Sequence, residues 1–599
     1  MGVPRLYPWL VRHFGKKCLI HFQEGEHVFV VDNLYLDSNP FLHEARQYVY
    51  NYGQNKKVTD DFRHLSPKQK QLKVFELYFD SLRYTSKIVA PKKILYIAID
   101  GPAPLAKQAQ QRQRRFAAAA ERKAGGKGVE DDGKDSNEIT PGTLFMLELT
   151  KYIHTEIRKE MNKPDSPWRE IEIIFSPATV PGEGEHKVLD HIRANKNAKE
   201  ESHCIFGPDG DLIMLTLAAH VPKMFLLRAD QYNPGFYDYL DMGIVRRALV
   251  EALFQGPGYT SHKRSLDDVT NDFIVLGFFV GNDFLPKIQM FMYLEDGLEL
   301  MISTYASISA GGTKNVLSKD GRIDHQGFSR FVEELARREH GYILDQATPK
   351  ADRQGKFLEP KFTNHTLLKH VKELPTTPGK TKKVFDLQGY RVDYYAKAGI
   401  DCTAYVDGDD QVRKICLDYL RAIAWVYQYY IIGLPSWRDF YAWHYAPLMY
   451  DLVQVMRDAT PEELDYIYKF NMEKKGAPLP FVQLLSVLPP ASATLLPVPF
   501  RKLLCSAESP LVKLGYYPDS FKTDLEGKTK EHMGVVLLPF VDINEIEKAY
   551  TPVAAKLKNI YVRNSIGKPE VFRYDETYTA RYISDYGNIS KLHVTKVNL

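Results

Sequence analysis

Short strand-like runs alternate with longer amphipathic stretches through the first half of this 599-residue chain. The runs are rich in β-branched and aromatic residues, and each ends in Gly, Pro, Asp or Asn. They occupy residues 27–39, 92–101, 170–176, 203–211 and 223–228. This alternation predicts an α/β fold in which helices flank a mostly parallel sheet. In such sheets the functional crevice lies beyond the carboxyl ends of the strands.

The length of the chain predicts two or more domains, because a single hydrophobic core rarely serves so many residues. Residues 124–137 are Gly-rich and charged, which is typical of a surface loop. Residues 347–384 are rich in Lys, Thr and Pro, which is typical of a linker or an excursion between domains. We therefore predict a first domain at 1–340, a linker or excursion at 341–400, and a second region at 401–599.

Composition excludes several classes of protein. The net charge is only +4, so any polyanionic partner must be held by a local basic patch. The five cysteines form no Cys-x-x-Cys pair, which argues against a zinc site or a disulfide framework and favours a reducing compartment. No run of about 18 apolar residues is present, so no membrane association is expected. The composition predicts a soluble intracellular protein.

Acidic residues recur where the strand-like runs and turns end. They are Asp37, Asp100, Glu183, Glu185, Asp209, Asp211 and Asp283. Gathered at one sheet edge, these carboxylates would repel one another unless cations compensated their charge. Mg²⁺ or Mn²⁺ suits carboxylate ligands combined with a substrate phosphate. The pattern therefore predicts a site for two divalent ions, the arrangement that activates water for phosphodiester hydrolysis.

Each acidic motif also has a simpler explanation when taken alone. A single Asp-x-Asp or Gly-Asn-Asp is most often a turn or a helix cap. A calcium loop around Asp209 lacks the required Gly and the twelfth-position Glu. We expect Glu183 and Glu185 on an extended segment, where side chains two residues apart point the same way. The metal-site prediction depends on all the motifs together.

A cationic helix face follows Asp100. The residues are Lys107, Gln111, Arg114 and Arg115, here called the pocket face. Their spacing places the lysine, the glutamine and either Arg114 or Arg115 on one face of a helix. Cations flanking an amide make a pocket for a terminal phosphate, in which Arg binds two oxygens at once. The alternative is a solvated, charged helix face. The start of this segment beside Asp100 favours the phosphate pocket.

Long motifs follow one another along nearly the whole chain. In the first half they are MGVPRLYPWL, DNLYLDSN, DGPAPLAKQAQQRQRRF, ITPGTLFM, VPGEGEHKVLDHIR, HCIFGPDGDLIML and VGNDFLP. In the second half they are WVYQYYIIGLPSW, HYAPL, LLSVLPPAS, YYPDSF and GVVLLPFVD. In this order they closely resemble the XRN family of 5′→3′ exoribonucleases.

The resemblance implies a PIN-like nuclease domain of the flap-nuclease superfamily in residues 1–340. It also implies a largely helical second conserved region in 401–599 that packs against this domain and encloses the active site. Members remove nucleotides processively from single-stranded RNA that bears a 5′-monophosphate, releasing nucleoside 5′-monophosphates. The seven acids above match the family's metal ligands, which implies two Mg²⁺ ions that Mn²⁺ can replace. The pocket face matches its 5′-phosphate-binding residues.

The resemblance also implies a stack for the first bases. His43 matches one side of this stack, although in isolation it reads as an ordinary, partly buried histidine. The other side is a tryptophan; the family pattern has two, one residue apart, where this chain has Trp437 and Asp439. The role is assigned to Trp437, with Trp443 as the alternative. Residues 2–4 also match the family, and no chemistry is assigned to them.

The implied partners are single-stranded RNA with a 5′-monophosphate and decapping or RNA-processing factors. A cytoplasmic monomer is expected, with a nuclear location left open. Two other functions share part of the pattern. A structure-specific flap endonuclease would use the same acids but does not need the pocket face. A catalytically silent RNA-binding scaffold would have lost metal-ligating acids, and this chain retains all seven.

Overall fold

The computed structural model describes residues 6–53, 62–124, 135–230, 233–254, 265–288, 294–309, 317–319, 321–346, 365–377, 380–402, 407–471, 476–526, 534–557 and 562–599. Three predicted features fall wholly or partly outside the described residues: residues 2–4, the surface loop at 125–134, and the linker at 347–364.

The described part of the chain contains the following strands and helices. The strands are β1 (Leu19–Gln23), β2 (Phe29–Asp37), β3 (Val89–Ala98), β4 (Glu172–Ser176), β5 (His203–Phe206), β6 (Met224–Ala229), β7 (Phe236–Asp241), β8 (Ser318–Lys319), β9 (Arg322–Ile323), β10 (Val371–Thr377), β11 (Lys380–Phe385), β12 (Lys522–Asp524), β13 (Val535–Leu537), β14 (Glu570–Tyr574), β15 (Ala580–Tyr582), β16 (Ile589–Leu592) and β17 (Val594–Asn598). The helices are α1 (Leu6–Cys18), α2 (Asn39–Tyr50), α3 (Pro67–Ile88), α4 (Leu105–Ala124), α5 (Leu144–Asn162), α6 (Gly184–Ala194), α7 (Asp211–Ala218), α8 (Met242–Phe254), α9 (Leu266–Phe278), α10 (Leu294–Ser309), α11 (His325–Gln346), α12 (His365–Leu368), α13 (Leu387–Ala396), α14 (Asp407–Ile431), α15 (Met449–Asp458), α16 (Pro461–Tyr468), α17 (Pro480–Val487), α18 (Val498–Cys505), α19 (Pro510–Lys513) and α20 (Ile543–Ala555).

The chain divides into two compact units, each built from separate stretches of sequence. The sheet unit contains His13–Val245, Glu473–Tyr517 and Val541–Leu599. The helical unit contains Met1–Arg12, Arg246–Met472 and Pro518–Phe540. Both units draw on residues from either side of the predicted linker, and the predicted domain boundaries stay a prediction.

A nine-stranded sheet forms the centre of the sheet unit, in the order β1-β7-β6-β5-β2-β3-β4-β14-β17. Its five central strands, β6-β5-β2-β3-β4, are parallel to one another. These are the five runs that the sequence predicted, so the α/β class is confirmed. The strands outside them pair antiparallel, which makes the complete sheet mixed.

Both faces of the central strands are covered, because successive side chains of a strand point to opposite faces. Leu34 and Leu36 of β2 belong to one buried core together with Leu42 of α2 and Phe75 of α3. Tyr35, between the two leucines, packs instead against His191 of α6, with ring centroids 5.8 Å apart. Each such buried apolar side chain stabilises the fold by roughly 2 kcal/mol. Because helices cover both faces of the central strands, a site can form only at the ends of these strands.

Strands from the end of the chain complete one edge of this sheet. β14 pairs antiparallel with β4, so that Val571 lies opposite Ile174. On its other side β14 pairs with β17, where Val571 lies opposite Val597. The predicted second region therefore contributes strands to the same sheet as the predicted first domain.

The helical unit is built around α14, a helix of 25 residues. Tyr419, Tyr427 and Tyr430 on this helix are almost fully buried. Residues 365–396 of the predicted linker or excursion form α12, the antiparallel pair β10–β11, and α13. The largely helical character predicted for the second region is confirmed by α14, α15 and α16. Across the described ranges, every helix is too short or too polar to span a membrane.

Candidate active site

Three of the predicted acids follow central parallel strands. Asp37 is the last residue of β2, Asp100 comes just after β3, and Asp209 comes just after β5. Since β2 lies between β3 and β5, their carboxyl ends meet at one edge of the sheet. The charges of Asp100 and Asp209 both act on Asp37, as expected for carboxylates gathered at that edge.

The loop between β4 and α6 brings two glutamates to the same edge. Backbone hydrogen bonds tie this loop to the turn after β3: Gly101 N donates to Gly182 O (2.9 Å), and Gly182 N donates to Pro102 O (2.8 Å). Gly184 N donates to Oδ1 of Asp100 at 2.7 Å. The loop is thereby held against the strand end that carries Asp100.

The glycine between the two glutamates is required by space. A Cβ at Gly184 would lie 2.5 Å from Oδ1 of Asp37 and 3.5 Å from Oδ1 of Asp100, closer to Asp37 than a real side chain can come. Glu183 is the N-cap residue of α6, and Glu185 lies in its first turn. The extended segment predicted for this pair is therefore wrong, because the helix begins inside the motif.

Two of the acids, Asp37 and Glu185, have a raised pKa. Burial raises the pKa of Asp37 well above its usual range, and the charges of Asp100 and Asp209 raise it further. Burial likewise raises the pKa of Glu185, with a further contribution from the charge of Asp211. At both positions the charges of neighbouring acids act in the same direction as burial.

Lys107 brings positive charge into this cluster. Its Nζ lies 2.6 Å from Oε2 of Glu183, and the two side chains are only 14% and 4% exposed. The ammonium lowers the pKa of both Asp37 and Glu185 against the effects that raise them. The first turn of the predicted phosphate-binding helix therefore contacts the acidic cluster directly.

The cluster suits a hard divalent cation in donor type and in charge. Its donors are carboxylate oxygens, and Oε2 of Glu185 is buried and accepts no hydrogen bond from the described residues. Within the described ranges, however, no three His, Cys, Asp or Glu side chains are grouped closely enough to hold one ion. The metal-ligand roles of the acids therefore stay a prediction.

The rest of the pocket face continues along α4, in the helix that the sequence predicted. The carboxamide oxygen of Gln111 accepts a hydrogen bond from Nε2 of Gln483 at 3.2 Å. Arg114 is exposed, whereas Arg115 is partly buried and donates to Oγ1 of Thr140. Burial lowers the pKa of Arg115 to about 10, so its guanidinium remains charged at neutral pH.

His43 lies on α2, near the arginines of the pocket face. Its side chain is accessible to solvent, yet the protein around it displaces enough water to lower its pKa to about 4. The charges of Arg115 and Arg114 act in the same direction, and that of Asp100 opposes them. An accessible ring that is neutral at physiological pH is suited to stacking on a base.

Two further side chains, which were not predicted as part of the site, hold the strand ends in place. Asn39 Nδ2 donates to Oδ2 of Asp100 (2.8 Å), and Asp100 N donates to Oδ1 of Asn39 (3.1 Å). Lys187 Nζ donates to the carbonyls of Ile99 (2.6 Å) and Pro177 (3.2 Å), which joins the ends of β3 and β4. The available signal was position, since each follows a predicted acid by two residues.

Asp283 and Trp437 belong to the helical unit. Asp283 lies in the turn after α9, where Oδ1 of Asn282 accepts hydrogen bonds from the backbone N–H groups of Phe284 and Leu285, both at 2.9 Å. This local pattern is the turn that was weighed as the simpler explanation of the motif. The predicted metal-ligand role of Asp283 and base-stacking role of Trp437 stay predictions.

An aspartate stands at the position of the second tryptophan of the family pattern. Asp439, at that position, forms an ion pair with Arg421 at 2.8 Å. Trp443, the alternative stacking residue, donates its Nε1 hydrogen to Oδ2 of Asp418 at 2.8 Å. The aspartate and Trp443 thus both have bonding partners within the helical unit.

The sheet and its acidic strand ends define an α/β protein with a polar site at the carboxyl edge of parallel strands. Residues 1–230 match the family described as "XRN 5'-3' exonuclease N-terminus". Residues 263–383 and 384–592 match the family described as "Xrn1 helical domain". The chain belongs to the XRN family, which confirms the resemblance of its motifs.

Curated relatives match the chain over nearly all of its length. The human "5'-3' exoribonuclease 1" is 30% identical over 620 residues, covering 93% of this chain and 34% of the human protein. The protein of the same name from Schizosaccharomyces pombe is 29% identical, covering 100% of this chain and 52% of the relative. That from Saccharomyces cerevisiae is 29% identical, covering 98% and 46%. The chain spans about a third to a half of the length of these relatives.

Among solved structures, the chain matches the catalytic core of Rad2 in complex with a DNA substrate. The match has 13% sequence identity and covers 67% of this chain and 95% of the other, with a TM-score of 0.28. A second Rad2 complex gives a TM-score of 0.26. At these TM-scores the likeness carries no weight for function.

Proposed function

We propose that this chain is a processive 5′→3′ exoribonuclease. Its substrate would be single-stranded RNA with a 5′-monophosphate, and its products nucleoside 5′-monophosphates. Membership of the XRN family and relatives named 5′-3′ exoribonuclease support the proposal. The observation that carries it is the contact between Lys107 and Glu183, because it joins the helix proposed to bind the 5′-phosphate to the acidic residues.

This contact bears on where the RNA would be cut. A 5′-phosphate bound on the pocket face would sit directly beside the acids proposed for hydrolysis. The bond within reach of those acids would then be the one nearest the 5′ end, which fits removal of single terminal nucleotides. A site that cuts internally needs no such neighbouring phosphate pocket.

We infer that the acids bind two divalent cations, Mg²⁺ with Mn²⁺ as a substitute. Asp37, Asp100, Glu183, Glu185, Asp209 and Asp211 of the sheet unit would supply the oxygens. When bound, such ions lower the pKa of water and stabilise charge on the phosphate that is attacked. Asn39 and Lys187 would keep Asp100 and its strand end in place during the reaction.

The chain's own cations and rings would do the rest. Lys107, Arg114 and Arg115 would neutralise the 5′-phosphate, and Gln111 would donate a hydrogen bond to it. A pocket matched to one phosphate would exclude a cap or a triphosphate, which adds bulk and charge. His43 would stack on a base without reading its identity, so little sequence preference is expected.

Partners and location are also part of the proposal. We propose that the protein acts as a monomer in the cytoplasm, on RNA ends that decapping or RNA-processing factors produce. The chemical reason is the pocket: it would need another activity to turn a capped end into a 5′-monophosphate.

The test compares RNAs that differ only at the 5′ end, bearing a monophosphate, a hydroxyl or a cap, each with Mg²⁺ and with EDTA. Only the monophosphate RNA should be degraded progressively, and only with the metal. Equal degradation of 5′-hydroxyl RNA would remove the phosphate pocket from the proposal. Cleavage of a DNA flap in preference to RNA would favour the endonuclease, and binding without cleavage would favour the scaffold.

A further inference from the structure

A buried glutamine outside the predicted site links the pocket face to the backbone. Gln483 lies on α17, within the sheet unit, and has no exposed surface. Its Oε1 accepts a hydrogen bond from Ala103 N at 2.8 Å. Its Nε2 donates to Oε1 of Gln111 at 3.2 Å. The carboxamide of Gln483 therefore bridges the turn after β3 and a side chain of the pocket face.

These two hydrogen bonds set the polarity of both amides. A backbone N–H can only donate, so Ala103 requires the oxygen of Gln483 on its side. The NH₂ group of Gln483 then faces Gln111 and requires an oxygen there. Nε2 of Gln111 is left pointing away from Gln483, and among the described residues it donates to no acceptor. One backbone donor thus orients two groups that could each be reversed with almost no change in shape.

We propose that Gln483 is a positioning residue that keeps the donor end of the Gln111 carboxamide available to the 5′-phosphate. The inference rests on the proposed function, since it assumes that the pocket face binds that phosphate. An N–H donor stabilises a phosphate oxygen, whereas a carbonyl oxygen in its place repels it. With Gln111 oriented in this way, the lysine, the amide and the guanidinium groups all present donors.

The test replaces Gln483 with a group of the same shape that cannot donate. The Gln483→Glu carboxylate would still accept from Ala103 N, but it would attract Nε2 of Gln111 and turn its oxygen toward the phosphate. The measured quantity is the ratio of Kd values for 5′-hydroxyl and 5′-monophosphate RNA, determined in EDTA. We expect the ratio to fall about tenfold or more, the size of a lost hydrogen bond to a charged group. The affinity for 5′-hydroxyl RNA should stay unchanged.

Gln108→Glu is the matched control. Gln108 is a buried glutamine on the same helix as Gln111, and its Nε2 donates to Ala103 O at 2.8 Å. Among the described residues, no hydrogen bond joins Gln108 to Gln111. The substitution makes the same change in shape and charge, so the Kd ratio should match that of the wild type. A second control uses the Gln111→Met background, in which Gln483→Glu should lower the ratio no further.

The outcomes separate this inference from the proposed function. Equal Kd values for both RNAs in the wild type would refute the pocket and the role of Gln483 together. A wild type that discriminates, with Gln483→Glu discriminating equally, would refute the role of Gln483 alone. The role of Gln483 would also be refuted if Gln108→Glu lowered the Kd ratio equally, or if Gln483→Glu still lowered the ratio in the Gln111→Met background. If Gln483→Glu does not fold, Gln483→Met replaces it in the test. The inference is supported if Gln483→Met lowers the Kd ratio of the wild type but does not lower that of Gln111→Met. Any other result overturns it.

Discussion

Two neighbouring faces of α4 carry the same residue types in different surroundings. Gln108 and Arg112, here called the packing face, are 1% and 3% exposed. The guanidinium of Arg112 donates to Ser486 O at 3.0 Å and to Tyr516 O, and Gln108 also donates to a backbone carbonyl. On the pocket face, Arg114 is exposed and makes no hydrogen bond with the described residues. Residue type alone therefore does not assign a role; the acceptors that surround a donor do.

The largest effect should come from the residue that joins the pocket face to the acids. Lys107→Met removes the cation that contacts Glu183, together with one predicted phosphate contact. We expect kcat/KM on 5′-monophosphate RNA to fall about 100-fold or more, as when a preorganised electrostatic group is lost. Lys123→Met removes the same charge from the exposed end of α4 and should leave kcat/KM unchanged. Equal rates in the two variants would contradict a special place for Lys107.

The next largest effect concerns stability and the packing face. Arg112→Met would leave two buried carbonyls without their donor, and we expect a loss of about 3 kcal/mol in the free energy of unfolding. Urea unfolding measures this loss, and Lys123→Met, at the exposed end of α4, should change the free energy of unfolding by less than about 0.5 kcal/mol. The preference of folded Arg112→Met for 5′-monophosphate over 5′-hydroxyl RNA should equal that of the wild type. If Arg112→Met kept its stability but lost the preference for 5′-monophosphate RNA, the packing face would be the one that binds the phosphate.

A smaller effect should separate the two arginines of the pocket face. Arg115 is partly buried and its orientation is held by Thr140, whereas Arg114 is exposed. We expect Arg115→Ala to lower the preference for 5′-monophosphate RNA about tenfold, as for a charge-assisted hydrogen bond. Arg114→Ala should lower it less, because solvent screens an exposed charge. Binding of the two RNAs by each variant decides the order, and the reverse order would show that Arg114 is the main ligand.

The smallest expected effect is an absence of pH dependence in stacking. Since the pKa of His43 is lowered to about 4, its ring should stay neutral from pH 5.5 to 8. RNA affinity, measured in EDTA as a function of pH, should therefore be the same in shape near pH 6.5 for the wild type and for His43→Phe. The lowered pKa of His43 also affects the free energy of unfolding, because on acidification the histidine of the unfolded chain is protonated first. The contribution of His43 to stability is therefore complete above about pH 6.5 and falls as the pH drops toward 4. A transition near pH 6.5 that depends on His43 would contradict the lowered pKa.

The sequence predicts the centre of the fold better than its edges. Runs such as residues 92–101 and 203–211 have strong local signals, and the parallel arrangement follows from the helices between them. The place of β14 gives no such signal, because its partner β4 lies almost 400 residues away along the chain. Pairings over that distance are decided by tertiary packing and leave little trace in a local pattern.

The candidate site was predicted to a similar extent. The acids at strand ends could be located because the carboxyl ends of parallel strands meet at one edge. The contact of Lys107 with Glu183 could not, since it depends on how α4 sits against the loop before α6. The different surroundings of Arg112 and Arg115 could not be predicted either, because they depend on hydrogen bonds to α17 and to Thr140.

The position of β14 in the sheet has a consequence for synthesis on the ribosome. β4 emerges early, whereas the strand that covers its edge follows almost 400 residues later along the chain. At about 5–20 residues per second, the gap lasts on the order of tens of seconds. During that time the hydrogen-bonding groups of β4 form an uncovered edge able to pair with other chains. Nascent chains of this protein should therefore depend on chaperones until β14 has been made.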